Sequence, residues 1–252
     1  MARIVRLVGM LLVATLALQL FFLLRIALMT VIQPESTTFQ RSEIWRLAVQ
    51  KHQLPWAQEA VAGSRLSDNL RRAVIASEDA GFVEHHGVEW DAVEKAWNRN
   101  EKAQARAAAQ QGRAALHRGR DGKPHERVAK VVGGSTISQQ LAKNLFLSGE
   151  RNIVRKGQEL VITYLLELEL GKARILDTYL NNVEWGEGVF GAQAAAEHYF
   201  HTGAATLGAA QAARLAVMLP APKRFEKSPA SPYVLGRSST IVARMGGVDL
   251  PD

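Results

Sequence analysis

Leu70-Arg71-Arg72-Ala73-Val74-Ile75-Ala76-Ser77-Glu78-Asp79-Ala80-Gly81-Phe82-Val83-Glu84-His85-His86-Gly87 reads as a helix running into a turn. Leu70, Ala73, Val74 and the small Ser77 fall at i, i+3, i+4 and i+7, which is one face of a helix. Glu78 follows at the edge of that face, just ahead of a segment rich in aromatic, histidine and glycine residues. A carboxylate half-withdrawn from water has its pKa raised toward the range useful for proton transfer. The same pattern also fits a solvated acidic pair at a helix end, and local spacing alone leaves both readings open.

Outward from this stretch the spacing is helical almost everywhere. It is helical from Ser42 to Ala80 with a break at Pro55. Thr136 and Gln139 form a T-x-x-Q capping box opening a helix that carries Ile137, Leu141 and Leu145 on one side. Further helices are predicted over 154–170 and 173–182, then an Ala-rich one from the Gly186, Gly188, Gly191 loop to Phe200, and one over 207–219 ending before Pro220-Ala221-Pro222. No long stretch alternates with period two and there is no repeat, so the expected fold class is mainly α.

The first thirty residues differ in kind. Leu7 to Leu24 is eighteen residues without a charge, with Gln19 its strongly polar member. Eighteen helical residues rise roughly 27 Å, close to the hydrocarbon thickness of a bilayer. The run exceeds the apolar region of a signal peptide and no convincing cleavage site follows, so a retained anchor is expected. Arg3 and Arg6 precede it and place the N-terminus in the cytoplasm, with the remaining chain outside; Arg25 opposes this weakly and can snorkel.

The formal charge of +7 is concentrated. Between Arg99 and Lys130 nine basic residues face three acids, a net +6, in a segment with few large aliphatics. A solvated, partly helical insertion is expected there, or a basic surface against anionic lipid headgroups. Nucleic acid is not indicated, because no aromatic residues interleave with the charges. Cysteine is absent, which removes disulfides, thiolate nucleophiles and cysteine metal sites from consideration.

Two further constellations carry chemistry. Gln139, Gln140, Lys143 and Asn144 share one side of the helix opened by Thr136. Amides with one lysine suit sugar hydroxyls, acetamides and phosphate, although a plain polar face is the alternative. Arg151, Arg155 and Lys156 cluster at a helix start, where cations oppose the dipole, and with free N–H groups they could receive a pyrophosphate. Glu159 sits four residues after Arg155 and can simply pair with it. His85 and His86 lack a partner at metal-ligand spacing, so a packed histidine is expected rather than zinc. Ser135 follows two glycines but has no assigned base, and no G-x-S-x-G elbow or nucleotide loop is present.

Taken in order, these segments resemble the peptidoglycan glycosyltransferases of glycosyltransferase family 51, in the monofunctional, membrane-anchored form. Glu78-Asp79-x-x-Phe82-x-x-His85-x-Gly87 is similar to the family's first motif, and Gly134-Ser135-Thr136-Ile137-Ser138-Gln139-Gln140-Leu141-Ala142-Lys143-Asn144 to its second. Arg155-Lys156-x-x-Glu159 resembles the third. Ile175-Leu176-x-x-Tyr179-Leu180-Asn181 with Gly186-x-Gly188 and Gly191 resembles the fourth, and Ala212-Ala213-x-Leu215-Ala216 with Leu219-Pro220-x-Pro222 the fifth. Departures are Glu89 for the acidic residue after the first motif, Gln211 for the usual Glu of the fifth, and a longer segment over 99–130.

The resemblance implies a lysozyme-like, mainly α fold that polymerises lipid II into β-1,4 glycan strands and releases undecaprenyl pyrophosphate. It implies Glu78 as general base and Glu159 as a second essential carboxylate. Substrate contacts are implied for Asp79, Phe82, His85, Gly134, Ser135, Thr136, Gln139, Gln140, Lys143, Asn144, Arg151, Arg155 and Lys156. Family members often use a divalent ion, usually Mg²⁺, at the pyrophosphate, but no dedicated metal cage is visible in this sequence. Expected partners are lipid II, the growing strand, membrane lipids and proteins of cell-wall synthesis or division. The expected location is the bacterial cytoplasmic membrane, single-pass, with the catalytic domain on the periplasmic face. On this reading the chain divides into an anchor (1–32), a linker and entry helix (33–65), the catalytic domain (66–226, with the basic insertion 99–130) and a C-terminal tail (227–252). A lysozyme-like hydrolase or lytic transglycosylase, and a catalytically inactive membrane scaffold, are the competing expectations.

Overall fold

The computed structural model describes residues 1–116, 134–147, 149–150 and 152–251. The chain forms two units, Met1–Gly87 with Thr136–Asp252, and Val88–Ser135. The second unit is carried by helix α4 (Trp90–Leu116), so the insertion begins as a long helix; its 117–130 portion lies outside the described residues.

The first unit contains α1 (Ala2–Leu28), α2 (Thr38–Arg46), α3 (Asp68–Glu78), α5 (Ile137–Phe146), α6 (Ile153–Glu169), α7 (Lys172–Asn182), α8 (Ala192–Phe200), α9 (Ala209–Met218), α10 (Pro222–Phe225) and α11 (Pro232–Met245). Side-chain caps set several of these starts. The Ser67 hydroxyl accepts the Leu70 N–H at α3, Thr136 and Gln139 exchange a full capping box at α5, and Asn152 Oδ1 accepts the Arg155 N–H at α6. Each such cap is worth about 1 kcal/mol. At α9 the Oε1 of Gln211 accepts the N–H of Gly208, so the amide supplies the cap that a glutamate would supply there.

Packing follows the apolar stripes. Leu70, Ala73 and Val74 of α3 are fully buried, and α3 packs on α9 and α11. Helix α5 lies against α6, α7 and α2. The mainly α expectation holds, with three corrections. Residues 52–67 are not a continuing helix: His52 turns left-handed, and Ala57–Gln58 forms strand β1. It joins a small sheet of order β1-β3-β2 with β2 (Glu184–Gly186) and β3 (Val189–Phe190), strands too short for period-two alternation to show. Gly188 has φ +76, and a Cβ there would sit 1.9 Å from the Pro55 carbonyl oxygen, so the close approach of chain 55–57 requires glycine.

The second correction is the tail. Residues 232–245 form α11, whose Val234, Ser238, Ile241 and Met245 recur on one face and are buried in the same core. The third concerns the division after residue 32: Phe22, Ile26 and Met29 of α1 and its end belong to that core as well.

Candidate functional site

Helix α3 ends at Glu78, and the loop after it is tied to the start of α5 by a set of interlocking bonds. Asp79 is buried, with its Oδ2 accepting the Ile137 N–H at 2.9 Å and its Oδ1 2.8 Å from His85 Nε2. The Gly87 N–H donates to His85 Nδ1 at 3.1 Å, which assigns the imidazole proton to Nε2 and makes that nitrogen the donor to Asp79. Thr136 Oγ1 donates to the Gly87 carbonyl at 2.6 Å while accepting the Gln139 N–H at 3.2 Å. The carboxylate of Asp79 therefore acts at the positive end of α5, where a negative charge is stabilising.

Gly87 makes this closure possible. Its φ is +88, and a Cβ would lie 2.8 Å from Thr163 Cγ2. Phe82 is fully buried beneath the loop, with Lys172 Nζ 4.6 Å from its ring centroid. Lys172 also pairs with Glu167 at 2.8 Å, and Ser138 Oγ donates to the same carboxylate at 2.5 Å. Glu167 and Lys172 were missed in the sequence, since their contacts run between α5, α6 and the loop with no local signature.

Glu78 itself stands half-buried at the rim of this framework. Gln140 Nε2 donates to Glu78 Oε2 at 3.0 Å, and Tyr179 Oη donates to Gln140 Oε1 at 3.0 Å. Burial is the largest influence on Glu78 and raises its pKa; the Gln140 bond lowers it, Asp79 raises it and Lys143 lowers it. Tyr179 is 1% exposed, and burial pushes its hydroxyl well above its ordinary pKa, with Glu78 and Asp79 adding to the effect. Tyr179 is thus a permanent donor. It fixes the Gln140 amide with the NH₂ toward Glu78. This tyrosine carries no assigned role in the sequence reading beyond its place in the fourth motif.

On α6, Glu159 is 3% exposed between two cations: Arg155 Nη1 lies 2.8 Å from its Oε2, and Lys156 Nζ bonds its Oε1. The three groups carry a net positive charge. Lys143 is exposed on α5, and Asn144 is largely buried.

The predicted residues therefore separate by what their atoms do. Glu78, Gln140 and Lys143 meet electrostatically at one place, and Arg155, Lys156 and Glu159 form a second group. Asp79, His85, Thr136 and Gln139 make bonds within the protein at the end of α3 and the start of α5, and Phe82 is enclosed. Gly134 and Ser135 belong to the unit Val88–Ser135. Arg151 lies outside the described residues. Among the described residues no group of three or more His, Asp or Glu side chains is disposed to hold a metal.

A family model described as "Transglycosylase" matches residues 48–246. The chain is 50% identical over 251 residues to the "Biosynthetic peptidoglycan transglycosylase" of Cupriavidus metallidurans, covering 98% of this chain and 97% of that one. It is 47% identical over 241 residues to the protein of the same name from Paraburkholderia xenovorans, covering 95% and 90%, and 47% identical over 237 residues to that from Herminiimonas arsenicoxydans, covering 94% and 92%.

Proposed function

The chain belongs to the transglycosylase family and is a peptidoglycan glycosyltransferase, and on that premise we propose that Glu78 is its general base. The observation that carries this reading is the chain of hydrogen bonds from Tyr179 through Gln140 to a carboxylate whose pKa burial raises. Such a group is more basic than an ordinary glutamate, which suits it to take a proton from an alcohol as that alcohol becomes a nucleophile.

The reaction we assign begins with lipid II as acceptor and the growing strand as donor. Glu78 takes the proton of the acceptor sugar's 4-hydroxyl while that oxygen bonds to the donor's anomeric carbon. The bond from this carbon to the pyrophosphate breaks with inversion, giving a β-1,4 linkage and undecaprenyl pyrophosphate. Charge develops on the leaving pyrophosphate, and cations positioned beforehand stabilise it without reorganisation. Lys143, Arg155 and Lys156 are the described cations for that task; Arg151 is the neighbouring one by sequence. Glu159 holds Arg155 and Lys156 in place and limits their mutual repulsion.

A resident metal does not fit the described carboxylates well. Both oxygens of Glu159 are engaged by Arg155 and Lys156, and both of Asp79 by His85 and the Ile137 N–H. No step is therefore routed through Mg²⁺. Among the described residues, α1 is the one helix long and apolar enough to cross a membrane. With Arg3 and Arg6 ahead of it, we place the catalytic unit on the outer face of the cytoplasmic membrane. A glycan hydrolase releases no pyrophosphate, so that reading gives the cationic group on α6 no leaving group to hold.

The test is lipid II polymerisation by the wild-type chain and by Glu78→Gln. The wild type should build polymer, and the variant should lose turnover with its circular dichroism unchanged. Sustained polymerisation by Glu78→Gln would remove Glu78 from the base role.

A further inference from the structure

Three elements carry the hydrogen-bonded chain that ends on Glu78: α3 supplies Glu78, α5 supplies Gln140 and α7 supplies Tyr179. A carboxylate from a fourth, Glu167 of α6, stands where all three come together. Its Oε1 accepts the hydroxyl of Ser138, which lies in the first turn of α5, two residues before Gln140. The same oxygen pairs at 2.8 Å with Nζ of Lys172, the first residue of α7 and about two turns before Tyr179. Lys172 in turn lies 4.6 Å from the ring centroid of Phe82, four residues after Glu78. The far end of that loop rests on the stem of Glu167, since a Cβ on Gly87 would come within 3.0 Å of Glu167 Cγ.

Local helix chemistry does not account for this placement. Glu159, Thr163 and Glu167 recur at i, i+4 and i+8, which puts Glu167 on the inward face of α6, and its side chain is only 7% exposed. Lys172 is itself 17% exposed and sits in the first turn of α7, where a cation opposes the helix dipole. A buried ion pair is a poor source of stability, because desolvating both charges offsets their attraction. Fully bonded buried polar groups supply rigidity instead, since their partners must keep fixed angles and separations.

We propose that Glu167 and Lys172 are positioning residues for glycosyl transfer, together holding α3, α5 and α7 at the spacing that keeps the Gln140 amide on Glu78. The proposal rests on the reading of Glu78 as the base. The pair acts through Gln140 and not on the substrate. Ser138 is the contact through which Glu167 aligns α5, and Phe82 the one through which Lys172 aligns the loop behind Glu78. Loosening either contact frees the amide to turn away from Glu78. Because the Gln140 bond lowers the Glu78 pKa, the carboxylate then takes up its proton at higher pH.

Ser138→Ala removes one hydroxyl and leaves both charges paired, whereas Lys172→Met keeps an unbranched chain over Phe82 and removes the cation. Lipid II polymerisation by the full chain is followed across pH, with thermal melts alongside, for wild type, both variants, Gln140→Leu, and Ser138→Ala combined with Gln140→Leu. Ser138→Ala should lower kcat roughly fivefold, the worth of one hydrogen bond, with KM little changed and the acid limb of the pH–rate profile moved to higher pH. Lys172→Met should do the same more strongly, and Ser138→Ala decides the matter even where Lys172→Met does not fold. In the Gln140→Leu background, Ser138→Ala should move the limb no further. A looser fold by itself lowers the active fraction at every pH and leaves the limb in place; that result in Ser138→Ala, with the limb moved in Gln140→Leu, overturns the proposal and leaves the base reading standing. Shifts that add in the combined variant overturn it too, as does a rise in KM with kcat unchanged, which would assign the pair to substrate binding. A limb unmoved even in Gln140→Leu overturns both, because Glu78 would then not set it.

Discussion

Tyr179→Phe removes one oxygen from a buried ring and leaves its packing intact, so it isolates the orientation of Gln140. The lost bond spans 3.0 Å from Tyr179 Oη to Gln140 Oε1. Gln140 is only half-buried, so the loss should be about 1 kcal/mol, the ordinary net worth of one hydrogen bond. That bias corresponds to roughly fivefold in the population of the amide orientation that donates to Glu78. The Gln140 bond lowers the Glu78 pKa, so weakening it must raise that pKa further. Where the whole of that loss falls on the ionised form, the shift reaches its ceiling of about 0.7 unit. Because Glu78 acts ionised, the acid limb of the pH–rate profile should move to higher pH by up to about 0.7 unit, with a small effect on the alkaline plateau. The assay is the initial rate of fluorescent lipid II polymerisation across pH, for wild type, Tyr179→Phe, Gln140→Leu and the double variant. Gln140→Leu should shift the limb at least as far, and adding Tyr179→Phe to it should shift it no further. A limb that stays in place in Tyr179→Phe while Gln140→Leu moves it, or two shifts that add, would refute the relay.

Three further outcomes follow from the geometry. Gly87→Ala should lose stability by about 1–3 kcal/mol, since alanine must adopt φ +88 and place its Cβ against Thr163; a melting temperature within a degree of wild type would contradict it. Asp79→Asn removes the charge at the start of α5 and weakens the His85 contact, for an expected loss of about 1–2 kcal/mol, or several degrees in thermal melts. Glu184 is buried, and its pKa is raised to about 7, chiefly by burial, with Lys223 opposing the shift. An acid with a raised folded pKa costs stability once the unfolded chain ionises, so the penalty grows from its ordinary range up to about pH 7 and is complete above it. Glu184→Gln should therefore melt higher than wild type at pH 8, relative to their difference at pH 5; an equal difference at both pH values would count against the burial argument.

Most of the helices, the start of α5 and the long apolar run of α1 were legible in the sequence because they rest on contacts within one or two turns. The Thr136–Gln139 capping box is an example: its spacing is its mechanism, and the structure shows both bonds. Residues 232–245 were read as a tail although Val234, Ser238, Ile241 and Met245 recur helically, because the pattern has few large aliphatics and its burial depends on α3 and α9. The small sheet was invisible because its strands are two or three residues long.

Sequence by itself determined a mainly helical chain with an apolar N-terminal helix long enough to cross a membrane and an ordered set of motifs, and it singled out Glu78. Only the tertiary structure decided what surrounds that carboxylate. Gln140 is 62 residues away in sequence and Tyr179 a further 39, and Asp79 caps a helix 58 residues on. Bonds over such separations leave no local periodicity. They exist because α3, α5 and α7 bury their apolar faces together, and that burial also sets the basicity of Glu78. The same holds for Gln19 and Gln158, 139 residues apart: the sequence shows a polar residue in an apolar run, and only the fold brings its partner to it.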